Sequence, residues 1–205
     1  MTEDLFSVHE GRVAIPMQDA EVHYLFRFLP EEIGHTVLRH LLDEVPWRAE
    51  KIMIWGKTFP QPRLIAWYGD VGTSYTYSGI HLHAQPWTPL LRELKSKVEA
   101  VAGTDFNSVL LNYYRDHRDS MGFHSDDEKE LGKQPIIASV SLGEERTFIL
   151  KHKTKKALPP VRLNLVSGSL LLMKGETQHH WKHGIDKQMH PCGPRINLTF
   201  RHICP

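Results

Sequence analysis

Cysteine is nearly missing from this sequence. The 205 residues include only Cys192 and Cys204, too few for a disulfide framework, so a reduced cytoplasmic setting (nuclear in a eukaryote) is the expectation. Net charge is nearly missing too. Twenty-five Lys and Arg offset 24 Asp and Glu, leaving +1, so bulk charge announces no nucleic-acid partner and such binding would need local basic clusters. No apolar run approaches the roughly 20 residues that cross a bilayer, which excludes a membrane role of that kind. The opening MTEDLFSVHEGRV is acidic and lacks an apolar h-region, so no secretory signal is expected. Internal repeats are absent. What remains, 40% hydrophobic and 24% charged residues, suits one compact soluble domain, expected as a monomer.

Residues 1–20 read as a loosely ordered extension and 21–205 as the domain. EEIGHTVLRHLLDE (31–44) places Ile33, Val37, Leu38, Leu41 and Leu42 on one helical stripe. In TPLLRELKSKVEAV (88–101), Thr88 is the expected N-cap, Pro89 opens the helix, and Leu91, Leu94, Val98 and Val101 form its apolar face. Residues 50–80 read as irregular hairpins, and 108–203 as short strands separated by turns such as LGEE and VSGS. Helices followed by many short strands predict an α+β fold with a sandwich or jelly-roll core.

The last strand, RINLTFR, sets Arg195, Asn197, Thr199 and Arg201 against Ile196, Leu198 and Phe200. Its polar face meets either water or, turned inward, an anion. Upstream, HSDDE puts His124 and Asp126 two apart, on one side of an extended chain, where they can share a metal. QHHWKHGID offers His179, His180 and His183 as a second histidine. Two histidines and a carboxylate hold non-haem Fe(II) while leaving positions open, whereas structural zinc wants four protein ligands. An oxygenase that consumes 2-oxoglutarate must also anchor a dicarboxylate, which buried arginine does. Arg195 and Arg201 stand about 20 Å apart along a strand, so both could serve it only from different directions.

HSDDE, WKHGI and PRINLTFR, preceded by VLLNYY, together resemble the AlkB family of Fe(II)/2-oxoglutarate dioxygenases that dealkylate nucleic-acid bases. The likeness extends through IWGKTFPQPRLIAWYGD and SYTYSG, covers most of 50–202, and is nearest the duplex-DNA-repair branch. It implies a double-stranded β-helix core flanked by N-terminal helices, with a recognition lid at about 50–80. It also implies Fe(II) on His124, Asp126 and His183, because the family's distal histidine precedes Gly or Ser and an aliphatic residue. Asn112, Tyr114, Arg195, Asn197, Thr199 and Arg201 match positions that contact 2-oxoglutarate, and dioxygen is the remaining co-substrate.

On the substrate side, the resemblance implies removal of methyl groups from N1-methyladenine and N3-methylcytosine, with release of formaldehyde, succinate and CO2. Extruded cationic bases want an aromatic face and a nearby carboxylate. Tyr75 and Tyr77 match base-contacting positions, and Asp127 and Glu128, directly after the iron ligands, could balance the ring charge. Trp55, where the duplex-acting branch has Phe, is the expected wedge that fills the gap left by the flipped base. Arg63, Arg115, Arg118 and the KHKTKK run (151–156) are candidates for phosphate contacts. The basic run that duplex-acting members carry after the distal histidine is reduced here to Lys187. Alkylated DNA is therefore the expected partner, duplex favoured and single strand possible. An RNA or tRNA enzyme of the same family is the alternative. A non-catalytic reader would have no need of the triad and two arginines together.

Overall fold

The computed structural model describes residues 11–54, 57–72, 74–77 and 80–204, with backbone alone for 52–54, 57–58, 74–77 and 80–83. In chain order the strands are β1 (Arg12–Ile15), β2 (Glu21–Leu25), β3 (Lys51–Ile54), β4 (Lys57–Pro60), β5 (Leu64–Gly69), β6 (Ser74–Tyr77) and β7 (Ile80–His83). They continue with β8 (Ser108–Tyr114), β9 (Met121–His124), β10 (Ile137–Gly143), β11 (Arg146–His152), β12 (Val161–Leu165), β13 (Ser169–Lys174), β14 (Trp181–Ile185) and β15 (Arg195–Arg201). The helices are α1 (Glu31–Glu44), α2 (Pro89–Ala102) and the single turn α3 (Thr177–His180).

A seven-stranded sheet runs β1-β2-β13-β10-β15-β8-β5 and faces a four-stranded sheet, β12-β11-β14-β9. All of these pairings are antiparallel. The expected jelly-roll core is present. Period-two alternation explains how one strand serves two cores. On β15, Ile196, Leu198 and Phe200 join Leu91, Val98 and Val37 in the layer beneath the helices. The other core, between the sheets, is built from residues such as Tyr114, Phe148, Leu150, Trp181 and Ile185. All seven residues of β15 are buried, so neither of its faces meets water.

The helices form as expected, with one adjustment each. Thr88 Oγ1 accepts the Leu91 N–H at 3.2 Å, and Gly103, at φ 71°, ends α2. Ala102 rather than Val101 completes its buried face. On α1 the buried residues are Gly34, Val37 and Leu41, while Ile33 stays 40% exposed. Leu38 and Leu42 pack against the core only partly buried, so the buried stripe is narrower than expected.

The loosely ordered extension needs correction from residue 12 onward. β1 and β2 form a hairpin, and β2 pairs with β13, adding two strands to the large sheet. Short strands with exposed side chains (β1 is exposed at three of its four positions) carry little hydrophobic periodicity, which is why they escape a reading of sequence.

Candidate active site

β14 pairs with β9 so that His183 lies directly across from His124. Their rings meet edge to face, centroids 4.4 Å apart. Asp126, two residues beyond the end of β9, turns its carboxylate under them. The ligating atoms of His124, Asp126 and His183 lie within 4.8 Å of one another, with Asp126 Oδ2 3.5 Å from His183 Nε2. His124 Nδ1 donates to Gly122 O at 2.9 Å, which leaves Nε2 with its lone pair for a metal. The Phe148 ring stacks on His183, centroids 5.0 Å apart.

Electrostatics hold Asp126 and His183 in the forms that can bind a metal. Burial pushes the His183 imidazole down to about 3, so it is neutral at neutral pH. Burial alone would raise Asp126, but the Arg201 charge, foremost among its neighbours, outweighs it and holds the carboxyl at about 2. Arg201 donates to Asp126 Oδ1 at 2.5 Å. Oδ2 is buried with no hydrogen-bond partner among the described residues, which suits an anionic oxygen to a cation. Gln178, fully buried, accepts the Asp126 N–H at 3.0 Å and so fixes the turn that carries the carboxylate. It is invisible in sequence because a glutamine between a threonine and a histidine has no motif of its own.

The cavity that His124, Asp126 and His183 border is also lined by Asn112, Tyr114, Arg195, Asn197, Thr199 and Arg201, together with Ser139. The polar face of β15 therefore points inward. Ser139 and Ser141 stand at alternate positions of β10, opposite Thr199 and Asn197. Asn197 Nδ2 donates to Ser139 Oγ at 2.7 Å, Thr199 Oγ1 donates to Asn197 Oδ1 at 2.9 Å, and Arg195 Nη2 donates to Ser141 Oγ at 3.0 Å. Arg195 is 1% exposed, yet its Nε and Nη1 have no hydrogen-bond partner among the described residues. Burial pushes it down to about 10, the Tyr114 phenol opposing and the Arg146 charge adding to the fall, so it is still a cation at neutral pH. A buried cation with two idle donors is a receptor for an anion, and a carboxylate fits its fork.

The sequence of 21–201 matches the family model of the 2OG-Fe(II) oxygenase superfamily. The chain belongs to that superfamily. Among its relatives, the human alpha-ketoglutarate-dependent dioxygenase alkB homolog 3 is 43% identical over 190 residues, 87% of this chain and 64% of the relative. The mouse DNA oxidative demethylase ALKBH2 is 42% identical over 192 residues, 91% of this chain and 77% of the relative. The chain thus spans just under two thirds of the length of the human alkB homolog 3 that it matches. In fold it is similar to the structure titled "The structure of OsALKBH1", with a TM-score of 0.68 at 15% identity, covering 93% of this chain and all of that one. Fe(II), 2-oxoglutarate and dioxygen are the reactants this superfamily implies, and the orphaned Asp126 oxygen and Arg195 donors fit the first two.

A second Asp-His-His group, Asp19, His152 and His180, also brings its ligating atoms within 4.8 Å. Hydrogen bonding argues against a metal there. His152 Nδ1 accepts the Lys155 N–H at 2.9 Å, so the proton of the neutral ring sits on Nε2, 3.2 Å from Asp19. Lys155 Nζ, 2.5 Å from the same carboxylate, already neutralises it. His179 lies exposed against Lys133 O.

The remaining expected site residues fall in several places. Asp127 is half exposed and ion-paired to Lys153 at 2.7 Å, and Lys153 also donates to Gln178 O at 2.8 Å. Glu128 is half-buried, with a buried Oε2 that has no hydrogen-bond partner among the described residues. Arg115 and Arg118 pair with Asp119 and Asp116 within their own loop. Arg63 departs from a surface phosphate contact: it is 4% exposed and its Nε donates to Asn112 Oδ1 at 2.7 Å. Tyr75 and Tyr77 occupy alternate positions of β6, opposite Leu82 and Ile80 of β7, and their side chains lie outside the described residues. Trp55 lies outside them altogether.

Proposed function

We propose that this chain is an AlkB-type dioxygenase that removes N-alkyl groups from nucleic-acid bases, N1-methyladenine and N3-methylcytosine in DNA foremost. The observation that carries the reading is one cavity that joins a charged, half-idle buried arginine to a two-histidine, one-carboxylate cluster. The DNA substrate comes from the name of the ALKBH2 relative. His124, Asp126 and His183 would hold the iron. Arg195, steadied by Ser141, would hold a co-substrate carboxylate, since Arg201 already serves Asp126. Asn112, Tyr114, Asn197 and Thr199 supply neutral polar contacts that orient a dicarboxylate without adding charge. With iron, 2-oxoglutarate and dioxygen bound, the site supplies oxidation of an N-alkyl carbon, the co-substrate leaving as succinate and CO2.

For the base, Glu128 offers a carboxylate that lysine does not neutralise, suited to a cationic ring, while Asp127 is held by Lys153. Tyr75, Tyr77 and Trp55 remain candidates for stacking on the extruded base and for filling the duplex behind it, and Arg63 is taken up below. The deciding experiment is anaerobic loading with Fe(II) and 2-oxoglutarate, then air and an N1-methyladenine oligonucleotide, single-stranded or paired. Formaldehyde with restored adenine, lost in His183→Ala, is expected, with the paired form favoured. Succinate without base repair would keep the oxygenase and discard this substrate. Repair of a methylated RNA alone would move the substrate to RNA.

A further inference from the structure

We infer that Arg63 is a positioning residue for the co-substrate cavity, acting through Asn112, rather than a contact to nucleic acid. This rests on the function proposed above. Arg63 lies three residues past β4 and directly before β5, with its side chain turned inward. Nε donates to Asn112 Oδ1 at 2.7 Å, and Nη1 reaches Ser120 O at 3.5 Å. Ser120 N–H in turn donates to Pro62 O at 2.9 Å. The guanidinium is thus pinned between the middle of β8 and the residue just before β9, the strand of His124.

The consequence is an orientation. A carboxamide has one accepting and one donating end, and its neighbours decide which faces where. With Oδ1 taken by Arg63, Nδ2 is the end of Asn112 available to the cavity it lines. Among the described residues, Nδ2 makes no hydrogen bond. Backbone pairing holds the residue from both sides, Ile65 on β5 and Asn197 on β15, so the amide can flip but the strand cannot shift. Flipped, Asn112 would present its oxygen to an anionic co-substrate. A guanidinium, which can only donate, forbids that flip.

Calorimetric titration of 2-oxoglutarate into the Mn(II)-loaded full chain tests this without turnover. Arg63→Lys keeps the charge but loses the fixed Nε donor. It is expected to raise the co-substrate Kd about tenfold, the scale of one hydrogen bond lost near a charge. Asn112→Ala should raise Kd comparably, and adding Arg63→Lys to it should change nothing further. Oligonucleotide affinity, read by fluorescence anisotropy, should stay within about twofold. Additive losses in the double variant, or an unchanged co-substrate Kd with weakened oligonucleotide binding, would overturn the inference. Should Arg63→Lys lack a cooperative thermal transition, Asn112→Asp takes its place. It keeps an acceptor for Arg63 and puts a second one toward the cavity, so it must bind 2-oxoglutarate more weakly than Asn112→Ala, and equal affinity would overturn the inference. Arg195→Met separates the two failures: if it too leaves 2-oxoglutarate binding intact, the cavity is not the co-substrate site and both readings fall.

Discussion

Arg201 grips Asp126 Oδ1 at 2.5 Å while Oδ2 of the same carboxylate stands 3.5 Å from His183 Nε2. One oxygen is held so that the other is presented. Because both residues are nearly fully buried, the pair is unscreened, and the aspartate stays anionic where burial alone would protonate it. Arg201→Met should therefore weaken Mn(II) binding by about 10- to 100-fold, the range for loss of a residue that orients a metal ligand. Electron paramagnetic resonance titration reads it, and unchanged affinity would mean that Asp126 does not need the arginine.

Arg195 makes the complementary test. Among the described residues its two idle donors have no partner, which suits an anion, while its contacts are with Ser141 and Tyr114 and not with His124, Asp126 or His183. Arg195→Met is expected to cut 2-oxoglutarate affinity by about 100-fold or more, as for a lost charge-assisted pair. Mn(II) affinity should stay within about threefold, since metal ligation is untouched. Parallel loss of both would indicate collapse of the cavity rather than loss of an anchor.

Gly184 follows His183 on β14, where the pairing with β9 is irregular. A Cβ there would stand 2.8 Å from Met121 O, closer than carbon and oxygen tolerate. Gly184→Ala should push β9 away and separate His124 from His183. The expected signature is metal affinity reduced about tenfold or more, because ligand geometry is lost with the strand spacing. A variant with wild-type metal affinity would show that β9 yields without moving His124.

Stability of the metal-free protein should fall in acid, over a window set by His183. Its pKa drops from the ordinary 6.5 in the unfolded chain to about 3 in the fold. Between those values the unfolded state holds a proton that the native state does not, so each lower pH unit costs up to about 1.36 kcal/mol. Asp126 adds to the loss below its ordinary 3.8, as pH falls toward about 2. Thermal melts from pH 7 to pH 4 should show the decline, and His183→Leu should flatten it. An equally steep decline in the variant would place the titration elsewhere.

Much of the chemistry was legible in the residues alone. His124 and Asp126 are two apart, and the polar and apolar sets of β15 alternate, so local geometry already puts each set on one side of the chain. The start of α2 was written in Thr88 and Pro89 for the same reason, since capping is a matter of a few neighbouring backbone groups. What only the tertiary structure decided is long-range. Pairing of β14 with β9 set His183 directly across from His124, and Ser141, Gln178 and the edge hairpin β1–β2 matter through partners far along the chain. Arg63 is the sharpest case. Its sequence neighbourhood suggests an exposed cation, but the turn before β5 faces it inward, where burial converts a surface charge into a fixed donor for Asn112.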